Sequence, residues 1–129
     1  MTGCDLHRHV AGGARSDVCN STEYSTILFT QEAERVIDAH AARHGEQPLF
    51  LYLAHQAVHV GNKPTPHHPE YWLDQAPPEY IEKYAWVQDA QRRNLSAMVT
   101  ALDESVGNVT AALKRNNMWD NTLLVFSTE

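Results

Sequence analysis

Length, composition and charge describe a small acidic chain. Its 129 residues are 43% hydrophobic and 20% charged, which is enough apolar material for the core of one soluble globular domain. Ten basic and sixteen acidic residues give a formal net charge of −6, which argues against non-specific binding to nucleic acid or anionic membranes. No apolar run approaches the roughly 18 residues of a membrane span, so we predict no transmembrane segment.

The cysteines and the glycosylation motifs bear on the cellular compartment. Cys4 and Cys19 are spaced for a small disulfide loop, but two free thiols fit the sequence equally well. Three N-x-S/T sequons begin at Asn20, Asn94 and Asn108, and all three asparagines are candidate glycosylation sites. Together they predict a secreted or lysosomal protein, although the N-terminus lacks the basic start and the apolar core of a signal peptide.

The first half of the chain predicts one helix between two apolar segments. We expect residues 1–23 to be irregular and residues 24–29 to form a short strand. A helix is predicted from an N-cap at Thr30 to a stop at Gly45. Residues 49–54, LFLYLA, are apolar without alternation, which is the pattern of a strand covered on both faces of a parallel sheet.

The second half predicts a loop, a long helix and a second strand. Residues 60–79 are rich in proline, and we expect them to form a substrate-facing loop. A helix is predicted over residues 87–115, ended by the asparagines at 116–117, and its apolar positions recur at helical spacing: Leu95, Met98, Val99, Leu102, Val106, Val109 and Leu113. Residues 121–129 then form a second apolar strand. Strand, loop, helix and strand make a right-handed βαβ unit, so the predicted fold class is α/β.

This parallel arrangement predicts the position of a functional site. The carboxyl ends of both strands would emerge at one edge of the sheet, where open α/β folds bind ligands. His59 follows the first strand and can donate a hydrogen bond to an anionic oxygen, and Glu129 ends the second and can hold a divalent cation. A zinc site on His55 and His59 is the alternative, but Gln56 replaces the glutamate that the H-E-x-x-H motif uses as its base.

Four long segments of the sequence carry a family resemblance. They are PLFLYLAHQAVHV, PPEYIEKYAWVQDAQRR, LSAMVTALDESVGNVTAALK and MWDNTLLVFST, within residues 24–129. In these segments the chain resembles the sulfatase family, most closely its arylsulfatase B (N-acetylgalactosamine-4-sulfatase) branch. The resemblance implies an alkaline-phosphatase-like α/β fold with a mixed or parallel sheet and flanking helices. Residues 1–129 would then be one part of a single N-terminal catalytic domain that hydrolyses sulfate esters of glycans or small aryl sulfates.

The resemblance also implies roles for individual residues. His59 matches the family histidine that contacts the substrate sulfate, whereas His55 matches a position without a role. Glu129 matches an aspartate that binds calcium, and glutamate keeps the charge but adds a methylene. Asn108 matches a family glycosylation sequon. The implied cofactors are a calcium ion and a formylglycine made from the cysteine of a C-x-P-S-R motif, which does not occur in this sequence.

The missing nucleophile motif allows more than one interpretation. The preferred one is an internal fragment of a sulfatase that is inactive by itself. A non-catalytic or degenerate sulfatase-like glycoprotein would also lack the nucleophile, and Glu129 would then be a genuine departure from the family aspartate. Another hydrolase of the alkaline phosphatase superfamily, such as a phosphodiesterase, would keep the fold, but the QAVH and GNVTAALK segments speak against it.

Overall fold

The computed structural model describes residues 6–9, 12–13, 16–18, 23–59, 66 and 75–127. Its regular elements, in chain order, are β1 (Leu6–Arg8), β2 (Ser16–Val18), α1 (Ser25–His44), α2 (Pro78–Glu82), α3 (Ala90–Arg115) and a short 3-10 helix (Trp119–Asn121). Within these ranges, no helix combines the length and the apolar character that a membrane crossing would need.

The N-terminal region contains a hairpin that the sequence did not predict. Strands β1 and β2 pair antiparallel, with Leu6 opposite Val18 and Arg8 opposite Ser16. Gly12 lies between them with a φ of 71°, a conformation that glycine adopts without steric cost. The prediction of irregular structure for residues 1–23 is therefore wrong for the two paired strands, whose three-residue length leaves little periodicity to detect.

Helix α1 begins earlier than predicted. It runs from Ser25 to His44 with Tyr24 as its N-cap, so residues 25–29 form its first turns and not a strand. Thr30 is likewise inside the helix and is not its N-cap, because its hydroxyl contacts the Thr26 carbonyl one turn earlier at 2.6 Å. A short apolar run does not distinguish strand from helix, which explains the error. The predicted end is confirmed, since Gly45 is the C-cap.

Helix α3 confirms the strongest secondary-structure prediction. It spans Ala90–Arg115, and the Asp89 side chain caps it by accepting a hydrogen bond from the Arg92 amide at 2.7 Å. Asn116 is the C-cap, and Asn117 has a positive φ of 57°, so the two asparagines end the helix as predicted.

The buried face of α3 differs from the predicted apolar stripe. Its buried residues are mostly small or polar: Asn94, Ala97, Met98, Ala101, Ser105, Ala112 and Leu113. Leu95 and Val99, both in the predicted stripe, remain 41% and 49% exposed. Small side chains allow α3 to pack closely along α1, so the apolar stripe faces partly away from that contact.

The core lies where α1 meets the C-terminal half of α3. Ile37 and Ala112 are fully buried there with Leu113, and Leu49 and Met118 pack against the same cluster. At the edge of this core Arg115 donates two hydrogen bonds to Asp38, of 3.1 and 2.9 Å, which tie the end of α3 to the middle of α1. The Arg115 guanidinium, with help from the Asn116 amide, lowers the pKa of the Asp38 carboxyl.

The two predicted parallel strands are not formed in the described residues. Residues 48–56 and 122–127 are irregular and belong to no β-ladder. Phe50 is 90% exposed and Leu123 is 89% exposed, so these apolar segments are not covered on both faces. A strand exists only when a neighbour supplies its hydrogen bonds, and neither segment pairs with a described one. The parallel sheet of the βαβ unit therefore stays a prediction.

Candidate functional site

The predicted sulfate-contacting residue lies in an exposed turn after the first apolar segment. The His59 amide donates a hydrogen bond to the Gln56 carbonyl at 2.9 Å, which closes a turn over residues 56–59. The His59 side chain is exposed at the end of this turn. The contact of His59 with a substrate sulfate stays a prediction.

The metal predictions concern residues that the structure covers only in part. Glu129, the predicted calcium ligand, lies outside the described residues, as do Asn20 and both cysteines. Within the described ranges, no three histidine, cysteine or acidic side chains come together in a way that could hold a metal ion. The calcium site stays a prediction, because its predicted ligand lies outside the described residues.

The zinc alternative gains no support from the conformation of the chain. Two histidines four residues apart share one face only if the backbone between them is helical. Residues 51–56 are irregular, and residues 57–58 form a turn. The two side chains also differ, because His55 is half-buried against α3 whereas His59 is exposed.

His55 takes part in a buried polar cluster that sequence reasoning missed. Its Nε2 lies 3.0 Å from the Ser105 hydroxyl of α3, and that hydroxyl lies 2.5 Å from the Thr30 hydroxyl of α1. Ser105 and Thr30 are only 2% and 3% exposed. One group of contacts thus joins the segment before His59 to both long helices. In the sequence, the only sign of this role is that Ser105 follows Ala97 and Ala101 at four-residue intervals. A polar residue is therefore placed on the same face of the helix as two alanines.

The cluster surrounds one ring nitrogen of His55 with hydroxyl groups. The Thr30 hydroxyl is the donor toward both the Thr26 carbonyl and the Ser105 hydroxyl, and the Ser105 hydroxyl shares a hydrogen bond with His55 Nε2. The buried Nδ1 has no hydrogen-bond partner among the described residues. Burial lowers the pKa of His55, which keeps the ring neutral near pH 7.

The two helical sequons have different environments. Asn108 is exposed on α3 and has room for a glycan. Asn94 is only 9% exposed, so a glycan on its side chain would have to displace the residues packed around it. Of these two candidate sites, the described structure is compatible with glycosylation at Asn108.

Comparison with protein families identifies the class of protein. The profile of the family described as Sulfatase matches residues 7–128, nearly the whole chain. The chain belongs to the sulfatase family. Mouse (Mus musculus) arylsulfatase J is 37% identical over 106 residues, and the uncharacterized sulfatase YdeN of Escherichia coli (strain K12) is 29% identical over 106 residues. Each alignment covers 82% of this chain but only 15% and 17% of the respective relative.

Solved structures agree with this assignment. The chain resembles Ps i-CgsB, whose crystal structure was also solved in complex with k-i-k-neocarrahexaose, with a TM-score of 0.64 and 32% sequence identity. The match covers 81% of this chain and 20% of that one. The described arrangement therefore has a counterpart in the sulfatase fold, although this chain spans a fifth or less of the length of each of these proteins.

Proposed function

We propose that this chain is part of an arylsulfatase-type sulfuric ester hydrolase, in which His59 contacts the sulfate group. The observation that carries the proposal is the family match over residues 7–128. The arylsulfatase B branch stays the most specific form of the proposal, resting on the four sequence segments given above. The broader proposal of an arylsulfatase-type enzyme is supported by the name of the related mouse protein, arylsulfatase J.

A sulfated glycan is the substrate that we propose. Ps i-CgsB was crystallised with the oligosaccharide k-i-k-neocarrahexaose, so a structural relative binds a ligand of this chemical class. Small aryl sulfates would share the same reacting group. Hydrolysis breaks one oxygen–sulfur bond of the ester and adds water, so that an alcohol and a sulfate ion leave the site.

His59 would act on the charge of the sulfate. An imidazole N–H that donates to a sulfate oxygen, or to the leaving oxygen, stabilises negative charge that grows as the ester bond breaks. We propose that the remaining catalytic groups lie elsewhere in the whole protein, because the 129 residues contain no C-x-P-S-R motif to supply formylglycine. Glu129 would contribute one carboxylate toward the family calcium ion.

The proposal for the cellular compartment of the protein rests on the glycosylation sequons. We propose a secreted or lysosomal protein, and the exposed position of the Asn108 side chain supports this. Cys4 and Cys19 would be able to form a disulfide in such an oxidising environment.

A non-catalytic or degenerate sulfatase relative is the second candidate. It is favoured by Glu129, which stands at the position of the family aspartate. Calcium–oxygen bonds of about 2.3–2.6 Å leave little room for an extra methylene unless the backbone moves. This candidate differs from the first in one measurable property, which is hydrolysis by the full-length protein.

The test is hydrolysis of 4-nitrophenyl sulfate by the full-length protein that carries this chain. We expect His59→Ala to lower kcat/KM by about 100-fold or more, as removal of one charge-stabilising donor does in other enzymes. His44→Ala is the matched control, because His44 is an exposed histidine at the end of α1 and its loss should leave the rate unchanged. A full-length protein that folds and binds sulfated glycans without hydrolysing them would favour the second candidate.

A further inference from the structure

A surface groove between α1 and α3 begins at one of the glycosylation sequons. The groove has a volume of about 220 Å³, and Asn108 is one of its lining residues. Buried Thr30, Ala101 and Ser105 form its floor, and half-buried Ile27 adds an apolar wall. The asparagine of the N-V-T sequon therefore lies directly beside a preformed depression.

The rim of the groove carries groups that suit sugar hydroxyls. Glu104 is fixed there, because Lys83 donates to one carboxylate oxygen at 2.8 Å and Tyr80 donates to the other at 2.6 Å. These two hydrogen bonds lower the pKa of Glu104 and keep it ionised. The Glu34 carboxylate and the Gln31 amide also line the groove. Ionised carboxylates accept strong hydrogen bonds, which are the contacts that hydroxyl groups make best.

We propose that a glycan on Asn108 packs its first N-acetylglucosamine into this groove. Attachment forms a bond from the Asn108 Nδ2 to C1 of the sugar, while the lipid diphosphate that carried the oligosaccharide leaves and the amide loses one proton. The sugar hydroxyls and the acetamido N–H would donate to Glu34 and Glu104. The acetamido methyl would contact Ile27.

Space and tethering favour this occupant over a free saccharide. At about 30 Å³ for each liquid water, the groove has room for roughly seven waters, which is the space of one monosaccharide unit. Because Asn108 lines the groove, an attached sugar starts within reach of it. The effective concentration of a tethered group is so high that individually weak contacts suffice. The inference goes beyond sulfate-ester hydrolysis and does not depend on it.

The experiment compares glycan forms of the full-length protein, secreted by cells that make only high-mannose glycans. Mass spectrometry first measures glycan occupancy at Asn108. Endoglycosidase H then trims the glycan to one N-acetylglucosamine, and Asn108→Gln provides the form without a sugar. We expect amide hydrogen exchange in peptides from α1 and α3 to be at least about twofold slower in the trimmed form than in Asn108→Gln, because the sugar would bridge the two helices.

Two further variants separate seating in the groove from glycosylation in general. Gln31→Ala removes a rim group and should reduce the protection while the glycan stays attached. Asp103→Asn combined with Asn108→Gln makes an N-x-S sequon from residues 103–105, with its glycan at an exposed position that does not line the groove. In this control, trimming to one sugar should give no protection over Asn108→Gln.

Each outcome decides the inference. An unoccupied Asn108 in the secreted protein overturns it. Equal exchange in the trimmed form and in Asn108→Gln also overturns it, as does equal protection by the displaced glycan. Protection that stays unchanged in Gln31→Ala overturns it too, because the sugar would then act from outside the groove. Protection that requires the sugar on Asn108 and weakens in Gln31→Ala supports it, whether or not the protein hydrolyses sulfate esters.

Discussion

At the scale of single residues, His55 connects three parts of the chain through one polar contact. Its Nε2 shares a hydrogen bond with the Ser105 hydroxyl, which also accepts a hydrogen bond from Thr30 on the other helix. A histidine proton on Nδ1 would have no acceptor among the described residues. Burying a charged ring without a partner is unfavourable, so the cluster is stable only with neutral His55.

The first prediction concerns the pH dependence of stability. Burial lowers the pKa of His55 below its ordinary value of 6.5, so the unfolded chain binds more protons than the folded one as the pH falls through that value. The stabilising contribution is present above pH 6.5 and is lost below it. The His55→Gln variant keeps a hydrogen-bond donor but cannot titrate. We expect its free energy of unfolding to fall less between about pH 7.5 and pH 5 than that of the unaltered protein.

Urea unfolding of the full-length protein at the two pH values is the measurement. His44→Gln serves as the control, because His44 is exposed and should leave the pH dependence as in the unaltered protein. An identical pH dependence in His55→Gln and the unaltered protein would show that the His55 proton is not coupled to folding.

At the scale of elements, the described fold depends on the contact between α1 and α3. Ile37, Ala112 and Leu113 form its core, and the buried face of α3 is rich in alanine. Small side chains let two helix backbones come close, and the same closeness leaves no room for a larger side chain. A larger side chain at a buried position on this face should therefore destabilise the contact. A larger side chain at the neighbouring exposed position should not.

The second prediction compares two neighbouring alanines on α3. Ala112 is fully buried in the core, whereas Ala111 is exposed. We expect Ala112→Leu to lower the free energy of unfolding by about 1–3 kcal/mol, because three extra carbons overpack the site. Ala111→Leu should change it by no more than about 0.5 kcal/mol, since the added carbons lie in solvent. Equal effects in urea unfolding would mean that α3 does not pack on α1 through this face.

At the scale of the whole molecule, large apolar side chains remain exposed. They lie mainly in the two segments that were predicted as strands, and include Phe50, Tyr52, Leu123, Val125 and Phe126. Runs of exposed large apolar side chains of this kind are unusual in a protein that folds by itself. Because the chain spans 15% to 20% of the length of its relatives, we infer that these side chains are covered in a larger sulfatase.

The third prediction follows for the chain expressed alone. We expect the 129 residues to bind a hydrophobic dye, to lack a sharp cooperative thermal transition and to leave 4-nitrophenyl sulfate intact. Differential scanning calorimetry and an absorbance assay measure the last two properties. A cooperative melt would contradict the inference about covered segments, and turnover would contradict the proposal that the nucleophile lies elsewhere.

Local sequence signals predicted some elements well and failed for others. Helix α3 was predicted to within three residues, because a long periodic pattern and two terminal asparagines agree. The start of α1 was wrong because a short apolar run fits either a helix or a strand. The role of His55 could not be predicted, since its partner Ser105 lies 50 residues away in sequence.

Residue identity and local periodicity were enough to predict the family, the long helix and His59 as the residue to test. They did not show which face of α3 is buried, that His55 contacts Ser105, or that Asn108 borders a groove while Asn94 is covered. These features depend on how two helices approach each other. Such an approach is governed by packing between residues far apart in the chain, which local patterns do not encode.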